Sequence, residues 1–110
     1  YWNTAKVTVS RNNGAGVFTV TDYALPVGRT QNEVCKVADM DLDGYVDFVV
    51  ASNSANAATV LYSTGATGAL DVAAPATLPF SEDMEPGSGS IGDLNGDGCP
   101  DLIVAPSWDT

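Results

Sequence analysis

Histidine is absent from this 110-residue sequence, and cationic side chains are nearly so. Without an imidazole the chain lacks the side chain whose ordinary pKa suits proton transfer near neutral pH. It also lacks a Gly-x-Ser-x-Gly nucleophile turn and a phosphate-cradling glycine loop, so an enzyme reading is weak. Only Lys6, Arg11, Arg29 and Lys36 stand against 14 acids, giving a net charge of −10. The four cations are scattered, which argues against nucleic acid or an anionic membrane as a partner. No apolar run approaches the roughly 20 residues of a membrane-spanning helix, and no segment keeps a helical apolar period. No Asn-x-Ser/Thr glycosylation acceptor and no signal peptide occur, and Tyr1 reads as a mature or trimmed start.

What the chain does contain is a pair of nearly identical stretches, residues 37–51 and 91–105. Both reduce to Asp-x-Asp/Asn-x-Asp-Gly-x-x-Asp followed by four apolar residues. They open at Asp39 and Asp93, which sets a period of 54 (93 − 39). Oxygen donors at alternate positions of a short loop suit a hard cation such as Ca²⁺, which takes about 6–8 oxygens in irregular geometry. In the first loop the expected ligands are Asp39, Asp41, Asp43 and Asp47 with the Tyr45 carbonyl. In the second they are Asp93, Asn95, Asp97 and Asp101 with the Cys99 carbonyl. Gly44 and Gly98 stand where the chain must turn sharply. A lone Cys99 thiol among hard oxygens does not make a zinc site. The bland alternative is an ordinary Asp-Gly hairpin turn with solvated carboxylates. Two copies with matching ligands, glycines and flanks outweigh it, because crowded carboxylates without a cation repel one another. Seven of the 14 acids lie in these loops, and the four positive charges of two divalent ions would bring −10 to −6.

The flanks separate the families that use such loops. An EF-hand needs a Glu at the twelfth loop position, where Val50 and Val104 stand. A dockerin wants an acid there and a helix afterwards. Here Phe48–Ala51 and Leu102–Ala105 are short β-branched runs, so a strand follows each loop. A last ligand at the ninth position, directly before a strand, resembles the FG-GAP/VCBS repeat of integrin-α-like β-propellers. That resemblance covers most of the chain. It implies an all-β fold in which each acidic loop joins the first two strands, A and B, of a four-stranded blade. It also implies two bound Ca²⁺ ions and an extracellular adhesion or recognition scaffold. Scarce lysine and plentiful Ser, Thr, Asn, Gly and Ala agree with a secreted or cell-surface protein.

Read in order, Lys6–Ser10 and Val17–Tyr23 are strands around an Asn12–Gly16 turn. Asn32–Ala38 enters the first loop and Val46–Ala51 leaves it. Ala58–Ser63 is the next strand, and Pro75 and Pro79 restrict the strand within Ala69–Phe80 to an edge. Ser81–Gly89, with the solvated acids Glu82, Asp83 and Glu85, is expected to be an exposed loop. Ser90 and Ile91 then lead into the second loop, and Leu102–Ala105 leaves it. The order is C-D, A-B-C-D, A-B: one unit of two repeats over residues 1–110, cut mid-blade, with loops 39–47 and 93–101. Repeat architectures need neighbours to bury their faces. Joining Ala105–Thr110 to Tyr1–Val7 makes a connection only a few residues longer than the internal Ala51–Val60 one. Other copies of the chain, or flanking sequence, are therefore expected to complete the half-blades.

Cys35 lies near the start of its strand, whereas Cys99 lies at the far end of the equivalent one. At about 3.3 Å per residue they are over ~13 Å apart along the strand direction, and a disulfide needs Cα atoms within roughly 7 Å. Two free thiols, or a bridge between copies, are expected. Phe18, Phe48, Tyr62 and Phe80 read as inter-blade core. Tyr1, Trp2 and Trp108 read as a seal between half-blades, with an aromatic sugar platform as the alternative. Three functions follow: a non-enzymatic structural or adhesive repeat that self-assembles into a ring or filament, a lectin-like carbohydrate-binding module, or an ancillary propeller segment of a larger secreted enzyme or toxin. The partners implied are copies of itself, glycans or a cell-surface protein.

Overall fold

The computed structural model describes residues 6–25, 32–52, 56–65, 69–80 and 86–106. They form eight antiparallel strands: β1 (Lys6–Asn12), β2 (Phe18–Ala24), β3 (Asn32–Ala38), β4 (Asp47–Ser52), β5 (Ala57–Ser63), β6 (Leu70–Pro79), β7 (Pro86–Gly92) and β8 (Asp101–Pro106). No helix occurs among the described residues. β3-β4-β5-β6 make one four-stranded sheet, flanked by the two-stranded sheets β1-β2 and β7-β8. The two-, four- and two-strand grouping matches the expected strand order. β6 is an edge strand, as Pro75 and Pro79 require, since proline cannot donate to a ladder on both sides.

Burial explains why the central sheet differs from the hairpins. β4 and β5 are buried on both faces, so they read as continuous apolar runs rather than alternating ones. Val49, Ala51, Ala58 and Val60 form one face, against which Ile91 of β7 and Leu102 of β8 pack. Val50 and Leu61 form the other, covered by Val7 of β1 and by Leu25 just after β2. The register makes this consistent, because Val49 pairs with Val60 and Phe48 with Leu61, and paired residues share a face. The half-blades thus lie on opposite faces of the complete sheet, with β7 against β3 and β2 touching β6. That arrangement is compatible with stacked blades. Each of the large apolar side chains enclosed this way contributes about 1.5–3 kcal/mol.

Two expectations need correction. Residues 86–89 are not loop; they begin β7, where Ser88 pairs with Ala105 and Gly89 with Val104. Small residues there hid a strand whose pairing is set by β8 rather than by its own propensity. Phe18 is not core, being 56% exposed. It points to the outer face of the β1-β2 hairpin, and among the described residues no sheet covers that face. Phe48, Tyr62 and Phe80 are half-buried against the two clusters, as expected. Cys35 and Cys99 are both free and exposed. Glu82, Asp83, Glu85, Tyr1, Trp2 and Trp108 lie outside the described residues.

Leu61 is fully buried where the half-blade meets the central sheet. Leu61→Ala is expected to cost about 2–5 kcal/mol in chemical denaturation, against at most about 0.5 kcal/mol for the exposed edge change Leu78→Ala. Equal costs would refute the two-sided core.

Candidate metal site

The two acidic loops fold by one hydrogen-bond scheme repeated at the period of 54. Asp39 accepts the N–H groups of Asp43 (3.0 Å) and Gly44 (2.8 Å). Asp93 accepts those of Asp97 (3.2 Å) and Gly98 (2.7 Å). Asp41 and Asn95 each accept the N–H two residues on, from Asp43 and Asp97. Asp43 and Asp97 do the same for Tyr45 and Cys99, both at 2.9 Å. Asp47 accepts from Met40 (2.8 Å), and Asp101 from Leu94 (2.9 Å). Such local side-chain acceptors curl the backbone into a turn. Gly44 and Gly98 sit at φ 93° and 86°, the left-handed region where a Cβ is costly.

In the first loop this curl brings Asp39, Asp41 and Asp43 together, with one carboxylate oxygen from each within 4.8 Å of the others. Three hard oxygens at that separation fit a cation of the calcium class. Burial pushes the Asp39 carboxyl up, but the N–H groups of Gly44 and Asp43 outweigh it and hold it below the usual range. Asp93 is held low in the same way, chiefly by the Gly98 N–H. Asp41 goes the other way: burial, then the neighbouring charges of Asp47 and Asp43, push it up. The loop therefore carries charge strain that a bound cation would relieve. Asn95 occupies the equivalent place in the second loop and carries no such charge.

Asp47 differs from the other expected ligands. It is 1% exposed, and both oxygens are engaged, one by Met40 N–H and the other by Ser63 N–H at 2.8 Å. It ties the loop to β5. Ser63 escaped the sequence reading because it lies 16 residues away, and only the β4-β5 register brings it near. Leu42 escaped too. It holds a left-handed φ of 63°, and the available signal was Gly96 at the matching place, at φ 75°. The second loop presents Asp93, Asn95, Asp97 and Asp101 in the same order, with Asp101 anchored only to Leu94 among the described residues.

Two substitutions separate anchor from ligand. Asp47→Ala strands the half-buried Met40 N–H and the buried Ser63 N–H, and is expected to cost about 1–3 kcal/mol for the buried donor, with chelator present or absent. Asp41→Asn removes a carboxylate whose pKa is raised, so its charged form is disfavoured by folding at neutral pH. The variant is expected to melt higher than wild type in chelator and to bind calcium more weakly. A lower melting temperature in chelator would refute the crowding of charge in this loop.

A family model of the FG-GAP-like repeat matches residues 39–104, more than half of the chain. The match starts at the first carboxylate of the first loop and ends in the strand after the second. No curated protein and no solved structure matches the chain. The doubled loop geometry, the strand that follows each loop and the stacked sheets lead to one assignment: the chain belongs to the FG-GAP-like repeat family.

Proposed function

We propose that this is an extracellular, calcium-held propeller-type repeat module, structural or adhesive rather than catalytic, which assembles with copies of itself through its half-blades. The observation that carries the calcium reading is the convergence of Asp39, Asp41 and Asp43 in a loop whose hydrogen-bond scheme recurs at Asp93–Asp101. Asp47 and Asp101, and the carbonyls of Tyr45 and Cys99, complete the two ligand sets. Every ligand of each site comes from one loop, and the Cys99 thiol is the one nucleophile beside the ligands, with no histidine anywhere in the chain to activate it. The ion's role is then to hold the A–B hairpin, and binding to the folded state alone adds stability by mass action.

A secreted or cell-surface setting suits weak sites of this kind, because calcium there reaches millimolar levels. No helix among the described residues is long and apolar enough to cross a membrane. The charge of −10 favours neither nucleic acid nor an anionic lipid surface as partner. Support for self-association is the outer face of the β1-β2 hairpin and the outer face of β8, which expose Phe18, Val20 and Ile103. Apolar side chains grouped on a sheet face that no other sheet covers are the usual mark of an interaction surface.

Calorimetric titration is expected to give two calcium sites, with Asp43→Ala and Asp97→Ala each removing one. Each variant is expected to lower the melting temperature only when calcium is present. An equal loss in chelator would overturn the cation assignment. Light scattering is expected to give a multiple of the 11.3 kDa chain mass, or an open polymer, that dissociates on chelation. A monomer throughout would overturn the self-association.

A further inference from the structure

We infer that β8 of one copy pairs with the edge of β1 that no described strand occupies in a second copy, in one defined register, with Ile103 seated in the groove beside Val9. The inference rests on the self-association proposed above and deepens it, because the chain contains its own template for the missing contact. β4 and β8 are equivalent at the period of 54, since each follows its loop by the same count. β5 and β1 are equivalent at an offset of 51 (63 − 12). Ser63 pairs with Leu70, and Asn12 with Phe18, as the last pairs before each turn. The turns are then closed by Thr64 N–H to the Ala69 carbonyl and by Asn13 N–H to the Val17 carbonyl.

Applying these offsets to the internal β4-β5 ladder, where Phe48 pairs with Leu61, Val49 with Val60 and Ala51 with Ala58, gives the contact between copies. Leu102 pairs with Ser10, Ile103 with Val9, Val104 with Thr8, and Ala105 with Val7. The faces agree without adjustment. Val7 and Val9 lie on the inner, half-buried face of β1, so Ile103 and Ala105 would join them there.

Three observations agree with this register. Beside Val9 lies a groove of about 240 Å³, lined mainly by Val9, Val37, Tyr45, Val46, Phe48 and Leu70. Val37 is 63% exposed there although it sits on a strand of the complete sheet. Ile103, itself 42% exposed, would enter this groove from its place opposite Val9. The second observation is polar. Asp47 takes Ser63 N–H from the neighbouring strand, whereas Asp101 has only its Leu94 contact among the described residues. At the inferred register Asn12 N–H of the second copy stands where Ser63 N–H stands. Third, Asn13 N–H points to β2, so by alternation the N–H groups of Asn12, Ser10 and Thr8 point to the free edge.

The test uses the 110-residue chain with Cys35 and Cys99 changed to Ser. Val9 and Ile103 form a pair without mutual hydrogen bonds, where Cα atoms are about 4.5 Å apart and a disulfide can form. Mixing Val9→Cys with Ile103→Cys protein under mild oxidation in calcium is expected to give linked dimer. Mixing Ser10→Cys with Ile103→Cys, one residue out and on opposite faces, is expected to give at least tenfold less. Ser10→Pro removes only an edge-facing N–H, which an edge strand tolerates, and Ile103→Lys changes an exposed side chain. Both are expected to remain folded by circular dichroism, to keep calcium binding and to be monomeric. Parent protein that is monomeric by light scattering overturns the self-association itself. Parent protein that assembles, while the cross-link forms at another register or both variants still assemble, overturns this pairing alone.

Discussion

The carboxylate of Asp47 is the joint on which the first repeat depends. It ends the acidic loop and begins β4, so its two oxygens reach different parts of the fold. One takes Met40 N–H and closes the loop on itself; the other takes Ser63 N–H and locks the loop to β5. A buried carboxylate is costly unless such donors satisfy it, and Asp47 has them from the backbone. Around it the four-stranded sheet is fixed in register, and with it the two faces on which the half-blades rest.

From that joint the electrostatics divide cleanly. Asp39 and Asp93, which each receive two or more N–H donors, are stabilised as anions by the loop itself. Asp41 receives only the Asp43 N–H, and burial together with the charges of Asp47 and Asp43 disfavours it as an anion. The backbone thus assembles a cluster of charge that it only partly compensates, which is what a site for a hard cation requires. The protein part sets ligand position, and an ion would supply the remaining compensation. The same loop with Asn95 in place of Asp41 carries less charge. The two loops therefore differ in charge although their turns are alike.

The sheets are organised by a second constraint, the covering of both faces. β4 and β5 achieve it because a half-blade lies on each side. Among the described residues the two-stranded sheets have one covered face each, and so they leave apolar groups such as Phe18, Val20 and Ile103 exposed. A free strand edge with apolar neighbours is an invitation to pairing that proteins generally blunt with charge or proline. β8 shows no charged side chain along its apolar run Leu102–Ala105, and β1 offers Lys6 and Arg11 only toward its ends. The exposed face and the free edge are parts of one incomplete contact.

The sequence by itself determined the loops, their period, the strand after each and the order of the eight strands, because these are local. Alternating carboxylates, a glycine at a left-handed turn and four apolar residues act within a dozen positions of one another. Pro75 and Pro79 likewise declared an edge strand from their own chemistry. What only the tertiary structure decided is what depends on register between distant segments. Ser63 as the partner of Asp47, β7 starting at Pro86 within a glycine- and serine-rich stretch, and the exposure of Phe18 all follow from which strand lies beside which. A hydrogen bond across 16 residues or a face covered by another sheet leaves no local pattern. The chain's propensities fix its elements, and the pairing of those elements fixes what each side chain meets.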